Sequence, residues 1–301
     1  MDLQPLIHAV AEQDLRVLNI VVRQNGNITA EHDFVEEKRV LLWSASKTFT
    51  SMAIGIAEYE GYLKMEDKLS KYFQTPSQAL WDQITIHDLL CMGIGQEKDP
   101  LSEALNSGKS LDNIEKLFFE EPIIYKPGTH FFYSNAVTYM LSKLISIQTK
   151  MCLNEYLRSR VYEPLGFENV QWEKDVHGID FGCSGLYLSA HELAVFGQLL
   201  LNEGEWKNKR LIPQKYIQEA TRQQISTADF NKFFATADHK SGYGYQLWMN
   251  SYAGSYRLDG LYGQYAVIIP DKKAVIAYIS DEPKKMTGIL ELTWKYIIEQ
   301  L

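Results

Sequence analysis

The chain has 301 residues, with 30 Lys and Arg against 38 Asp and Glu, a formal charge of −8. No basic excess is available to neutralise phosphates, which argues against a nucleic-acid partner. Hydrophobic residues make up 46% and charged residues 23%, the balance of a globular protein that buries a full core, and no apolar run approaches the roughly 20 residues of a membrane helix.

The first residues, Met1-Asp2-Leu3-Gln4-Pro5, lack a basic segment followed by an apolar stretch, so the cytoplasm is the expected compartment and no membrane is expected. Leu3, Leu6, Ile7 and Val10 then recur at helical spacing. Residues 17–22 read as a strand, and Asn25-Gly26 is a hairpin signal leading to a second one. A third extended piece, 39–43, runs into a helix with Phe49, Met52, Ala53, Ile56 and Ala57 on one face and Gly61 at its C-terminal cap. From about 70 to 180, helical patterns alternate with turn-rich loops. One helix starts near Asn135, with Val137, Met140, Leu141, Leu144 and Ile145 on a stripe. Another starts at Ser189, where Ser189 and Glu192 form a capping box, and runs to about Gly204. Residues 265–269 and 274–280 flank Pro270-Asp271-Lys272-Lys273 as a hairpin. A last helix carries Leu290, Trp294, Ile297 and Ile298.

Strands thus cluster at both ends of the chain, and an isolated hairpin is marginal in water. One antiparallel sheet built jointly from the two termini is the economical solution. The expectation is an α+β protein: residues 1–70 and 181–301 form a discontinuous α/β lobe, residues 71–180 a mainly helical lobe, and the active-site cleft lies between them.

Ser44-Ala45-Ser46-Lys47 sets a hydroxyl and an amine three residues apart on one helical face. Ser44 falls in the first turn, beside free backbone N–H groups and the positive end of the helix. A serine beside a neutral lysine is a route to a nucleophile without histidine. The plainer reading is an N-cap serine and a solvated lysine. Tyr133-Ser134-Asn135 precedes the next long helix. It reads either as a cap with Tyr133 packed against it, or as a phenol that relays a proton and an amide that binds substrate. In Leu258-Asp259-Gly260-Leu261-Tyr262-Gly263-Gln264, the glycines let backbone approach a ligand. The Leu261 N–H then pairs with the Ser44 N–H as an oxyanion hole, and Tyr262 walls the cleft. Alone, this stretch is an ordinary glycine-rich start to a strand.

Cys91, Cys152 and Cys183 are odd in number, widely spaced and never C-x-x-C, so they read as reduced thiols. His87 with Cys91 lacks a third ligand, and His191-Glu192 is followed by Val195 where a zinc helix needs a second histidine. No metal and no cofactor are expected.

Taken together, these motifs resemble the serine β-lactamases, penicillin-binding D,D-peptidases and related esterases, in the branch nearest the class C β-lactamases. Trp43 through Thr50 is similar to the nucleophile segment, and Pro127-Gly128-Thr129 through Asn135 to the P-G-x-x-x-x-Y-S-N stretch. Ile86-His87-Asp88-Leu89-Leu90, Glu163-Pro164-Leu165-Gly166-Phe167, Ser184 through Ser189 and Gly242-Tyr243-Gly244-Tyr245-Gln246-Leu247-Trp248 match further landmarks in the same order. The resemblance implies a β-lactamase/transpeptidase-like fold. It makes Ser44 the acylated nucleophile, Lys47 its base partner, Tyr133 the second proton carrier and Asn135 a substrate ligand, with Asp259, Gly260, Leu261 and Tyr262 on the substrate-binding strand.

Two departures stand out. The family's Lys or His, Thr or Ser, Gly strand reads Leu258-Asp259-Gly260 here, and Met92-Gly93-Ile94-Gly95 replaces a Thr-Ser-Gly. Lys240-Ser241-Gly242 precedes the Gly-Tyr-Gly-Tyr landmark rather than following it, so it is a decoy. Without the cation, a substrate carboxylate loses a charge-assisted bond, and Asp259 repels it if it faces the cleft. The expected activity is therefore acyl-enzyme hydrolysis of a small uncharged or cationic ester or amide. The alternatives are a class C-type β-lactamase, a D-aminopeptidase or D,D-peptidase, and a non-catalytic penicillin-binding-like module.

Overall fold

The computed structural model describes residues 1–232 and 235–301. The elements that position the site are α1 (Gln4–Glu12), β1 (Val17–Gln24), β2 (Asn27–Asp33), α2 (Ser46–Tyr59), α3 (Asn135–Thr149) and α4 (Ala190–Leu201). They continue with β3 (Trp248–Met249), β4 (Tyr256–Gly260), β5 (Gln264–Ile269), β6 (Ala274–Ser280) and α5 (Met286–Tyr296).

The six strands form one antiparallel sheet in the order β2-β1-β6-β5-β4-β3. N-terminal β1 pairs directly with C-terminal β6, so the two ends of the chain do build one sheet, an α+β architecture. Asn25 and Gly26 both take positive φ, 53° and 83°, which the tight β1–β2 turn requires.

Strand alternation divides the core. Tyr265, Val267, Ile269, Ile276 and Tyr278 face α1 and α5, meeting Leu6, Val10, Ile289 and Leu290. Their neighbours Ala266, Ile268, Val275, Ala277 and Ile279 point the other way, into the larger core shared with α2, α3 and α4. With helices on both faces, β5 and β6 are buried along their whole length.

α2 departs from the one-faced helix its apolar spacing suggests. Every residue from Ser46 to Ala57 is buried, because the helix runs through the middle of the molecule. Phe49 stacks on Phe196 of α4 at 3.6 Å between ring centroids. The polar side chains survive burial because they find partners: Thr48 Oγ1 donates to the Gln246 carbonyl at 2.8 Å, and Thr50 Oγ1 to the Gly182 carbonyl at 2.9 Å.

The extended piece at 39–43 also differs. Only Val40–Leu41 is strand, and it joins Leu186–Leu188 and Gln171–Trp172 in a separate three-stranded sheet. Trp43 then turns into the left-handed region at φ 49°, and Trp43–Ala45 forms a short 3-10 turn ahead of α2. The Ser189–Glu192 capping box is present, and Arg39 Nε donates to Glu192 at 2.8 Å. α4 ends at Leu201, a few residues short of Gly204. Among the described residues, no helix is long and apolar enough to cross a membrane.

Candidate active site

Ser44 sits in the 3-10 turn and Lys47 at the second residue of α2, so the three-residue spacing spans the junction between two helix types. It still brings them together: Lys47 Nζ lies 3.0 Å from Ser44 Oγ. Lys47 is 1% exposed, and lysine is almost never buried without partners. Its partners are three neutral oxygens: Ser44 Oγ, Asn135 Oδ1 at 2.6 Å and the Cys183 carbonyl at 2.8 Å. An ammonium serves three oxygens with three protons. A neutral amine serves two of them and turns its lone pair to the third. The same cage therefore fits both protonation states without rearrangement.

Tyr133 closes the group from the side. Lys47 Nζ lies 4.9 Å from the centroid of its ring. The ring stacks on Trp248 of β3 at 5.6 Å and meets Tyr243 edge-on at 6.2 Å, which fixes its plane. Beyond Tyr133 opens a groove of about 440 Å³, walled by Tyr125, His130, Phe131 and Phe230. Burial pushes the Cys183 thiol up to about 11, so the site receives its carbonyl while the sulfur stays protonated.

β4 delivers the third stretch. A Cβ on Gly260 would lie 2.2 Å from the Leu42 carbonyl oxygen and 3.2 Å from the Ala45 nitrogen, so only glycine lets this strand end touch the turn that holds Ser44. Leu261 follows directly and is 42% exposed. Tyr262, at φ 65°, packs edge-on against Trp43 at 5.3 Å between ring centroids. Two non-glycine residues in the left-handed region thus brace each other beside Ser44, where such strain is commonly stored.

A family model described as Beta-lactamase matches residues 6–291. The chain belongs to the Beta-lactamase family. A protein of Salmonella agona assigned as a D-alanyl-D-alanine carboxypeptidase is 24% identical over 266 residues, covering 69% of this chain and 62% of its own. The chain thus spans less than two thirds of that relative's length. Among solved structures, one assigned as a 6-aminohexanoate-dimer hydrolase from Bacillus anthracis matches with a TM-score of 0.80 at 22% identity, over 98% of this chain and 82% of that one. EstCE1, described as a hydrolase with promiscuous acyltransferase activity, matches with a TM-score of 0.77 at 15% identity, over 96% and 97%. The fold is β-lactamase/transpeptidase-like, as the motif order implies.

In this Beta-lactamase-family chain, Asp259 does not stand in the cleft as an open negative charge. Its carboxylate accepts from Arg257 Nε at 2.8 Å and lies 3.5 Å from His239 Nε2, with only 11% of the side chain exposed. Burial alone would raise its pKa, but Arg257 and His239 outweigh burial and hold the carboxyl below its ordinary value. Leu258, at the position of the family's cation, is fully buried in the core and offers no charge. Lys240 is exposed at the end of the short turn Ala237–Lys240.

The motifs single out Ser44, Lys47, Tyr133 and Asn135, and the structure brings these four together. They leave out Arg257, His239, the Cys183 carbonyl, Ser102 and Asp99. Arg257 carried a signal, since residues two apart on a strand share a face. The Cys183 carbonyl carried none, because a backbone acceptor has no side-chain signature.

Proposed function

We propose that the protein hydrolyses a small ester or amide through an acyl-enzyme on Ser44. The observation that carries this reading is the buried Lys47 amine, 3.0 Å from Ser44 Oγ. Ser44 Oγ attacks the substrate carbonyl while Lys47 takes its proton. The Ser44 and Leu261 backbone N–H groups hold the oxyanion, which Gly260 favours by seating its strand end against the 42–45 turn. Tyr133 passes a proton to the leaving group as the carbon–heteroatom bond breaks. Water then gives a proton back to Tyr133 as it adds to the acyl carbon, and Lys47 returns its proton to Ser44 Oγ as the carbon–oxygen bond breaks and the acid leaves.

The substrate is uncharged or cationic at the end that faces β4. Leu258 cannot make the charge-assisted bond that holds a carboxylate there, and Asp259 is already engaged by Arg257. Two neighbours in fold, described as a 6-aminohexanoate-dimer hydrolase and as a hydrolase with promiscuous acyltransferase activity, support the hydrolytic reading. The Salmonella relatives favour a D,D-peptidase as the second reading.

Intact-protein mass spectrometry after exposure to a fluorophosphonate tests the mechanism. A single adduct on Ser44, absent in Ser44→Ala, is expected; no adduct in the parent chain refutes it. A panel of p-nitrophenyl esters, amino-acid amides and nitrocefin then ranks the substrate classes. Nitrocefin turnover far above that of Ser44→Ala would move the assignment to a β-lactamase, and a stable penicilloyl adduct without turnover to a binding module.

A further inference from the structure

Behind Asn135, on the side away from Ser44, runs a chain of polar groups that the acyl-transfer scheme leaves unused. Asn135 Nδ2 donates to Ser102 Oγ at 2.9 Å. The Ser102 hydroxyl donates to Asp99 Oδ2. Asp99 Oδ1 accepts from the Ser134 hydroxyl at 3.2 Å and from the Ala136 backbone N–H at 3.1 Å, which pins the carboxylate to the first turn of α3.

The direction of this chain is forced. A carboxylate only accepts, and a serine hydroxyl has one proton to give. With that proton committed to Asp99, Ser102 presents lone pairs alone. The Asn135 amide must turn its NH2 to Ser102 and its oxygen to Lys47. The same logic carries on to the amine. A neutral Lys47 has two N–H protons and one lone pair. Asn135 Oδ1 at 2.6 Å and the Cys183 carbonyl at 2.8 Å take the two protons. The lone pair is left facing Ser44 Oγ, where the proton must come from.

We propose that Asp99 and Ser102 are positioning residues for acyl transfer. They fix which end of the Asn135 amide faces Lys47, and so aim the lysine lone pair at the serine hydroxyl. The proposal rests on the acyl-enzyme reading above. Neither residue touches a reacting atom; both act through Asn135.

The test measures single-turnover acylation of Ser44 by p-nitrophenyl acetate, together with thermal unfolding. The chains compared are the parent, Ser102→Ala, Ser102→Thr, Asp99→Asn, Asn135→Ala and the Asn135→Ala/Ser102→Ala pair. Ser102→Ala and Asp99→Asn are expected to slow acylation about 10–100-fold, as loss of an orienting partner does, with the half-saturating ester concentration unchanged. Ser102→Thr keeps the hydroxyl and restores most of the rate. Adding Ser102→Ala to Asn135→Ala costs nothing further, because the serine works only through the amide.

The parent rate in a folded Ser102→Ala, or losses that multiply in the pair, overturns the relay and leaves the Ser44 chemistry standing. If Ser102→Ala fails to fold, Asp99→Asn decides: the parent rate there overturns the relay equally. A parent chain that never acylates at Ser44 overturns both readings at once.

Discussion

Asp259→Asn is the sharpest test of how the departure at the family's third motif is accommodated. Arg257 is fully buried, and its Nη1 already donates to the Asp238 and Met249 carbonyls and to Asn250 Oδ1. Among the described residues, its Nη2 has no hydrogen-bond acceptor. Removing the Asp259 charge leaves this guanidinium among neutral acceptors, relieved only by the more distant Asp238 carboxylate, whose pKa Arg257 helps to lower. Breaking a buried pair by removing one partner costs about 3–5 kcal/mol. With Asp238 still acting on Arg257, about 3 kcal/mol is the expected loss, or ~5 °C in Tm for a chain of this size. Urea denaturation followed by near-UV circular dichroism measures it. The pH dependence gives a second check. The Asp259 carboxyl is held below its ordinary 3.8, so its stabilisation is present above that value and is lost only as pH falls through the lower, folded one. The deficit of the variant is therefore the same at about pH 7 and about pH 5, and shrinks only in stronger acid. A variant within about 0.5 kcal/mol of the parent, the range of an ordinary surface substitution, refutes the reasoning. So does a deficit that closes between those two pH values.

Three further outcomes follow from the same geometry. Lys47→Met should slow Ser44 acylation by about 10²–10⁴-fold; an unchanged acylation rate removes Lys47 as the base. Gly260→Ala sets a methyl 2.2 Å from the Leu42 carbonyl oxygen, so stability should fall by about 1–3 kcal/mol and acylation with it, whereas an unaltered enzyme means the strand end does not abut the turn. Because Leu258 replaces a cation, p-nitrophenyl hemisuccinate should gain nothing over p-nitrophenyl acetate in kcat/KM, where one charge-assisted bond of about 1.5–3 kcal/mol would favour it roughly 10–100-fold; a preference for the anion would locate a cation elsewhere in the cleft.

What the sequence made legible was local. Asn25-Gly26 and Pro270-Asp271-Lys272-Lys273 carry their turn chemistry in the residues themselves, so both hairpins and the joint sheet follow. Ser189 with Glu192 marks a helix start for the same reason. The misreadings arose where distant segments decide. Residues 39–43 have strand-like composition, but the main sheet already ends at β2 on one side and β3 on the other, and Val40–Leu41 pairs elsewhere. The polar residues of α2 look solvated until Gln246 and Gly182, far along the chain, supply their acceptors. Asp259 looks like an open charge because His239, twenty positions upstream, is invisible to any spacing rule, although Arg257 two residues away is not.

Acyl transfer needs its groups held to within about 0.5 Å, and rigid elements with packed surroundings supply that better than loops. Here the candidate groups come from four separate stretches: the turn at 43–47, the start of α3, the loop at 183 and the end of β4. α2 is their common axle, and Gln246 is the pin that stops it turning. Its backbone carbonyl accepts from Thr48 on α2, and its side-chain oxygen accepts from Thr138 on α3 at 2.5 Å. Its amide nitrogen donates to the carbonyls of Leu89 and Leu90 at 3.0 and 2.9 Å. One buried residue thereby ties the helix bearing Lys47 to the helix bearing Asn135, with every bond satisfied inside the core. The landmark Gly-Tyr-Gly-Tyr-Gln-Leu-Trp contains this glutamine and, two positions on, the Trp248 that stacks on Tyr133. A single stretch thus fixes the relative placement of Lys47, Asn135 and Tyr133, which is why its position in the motif order carries so much of the functional reading.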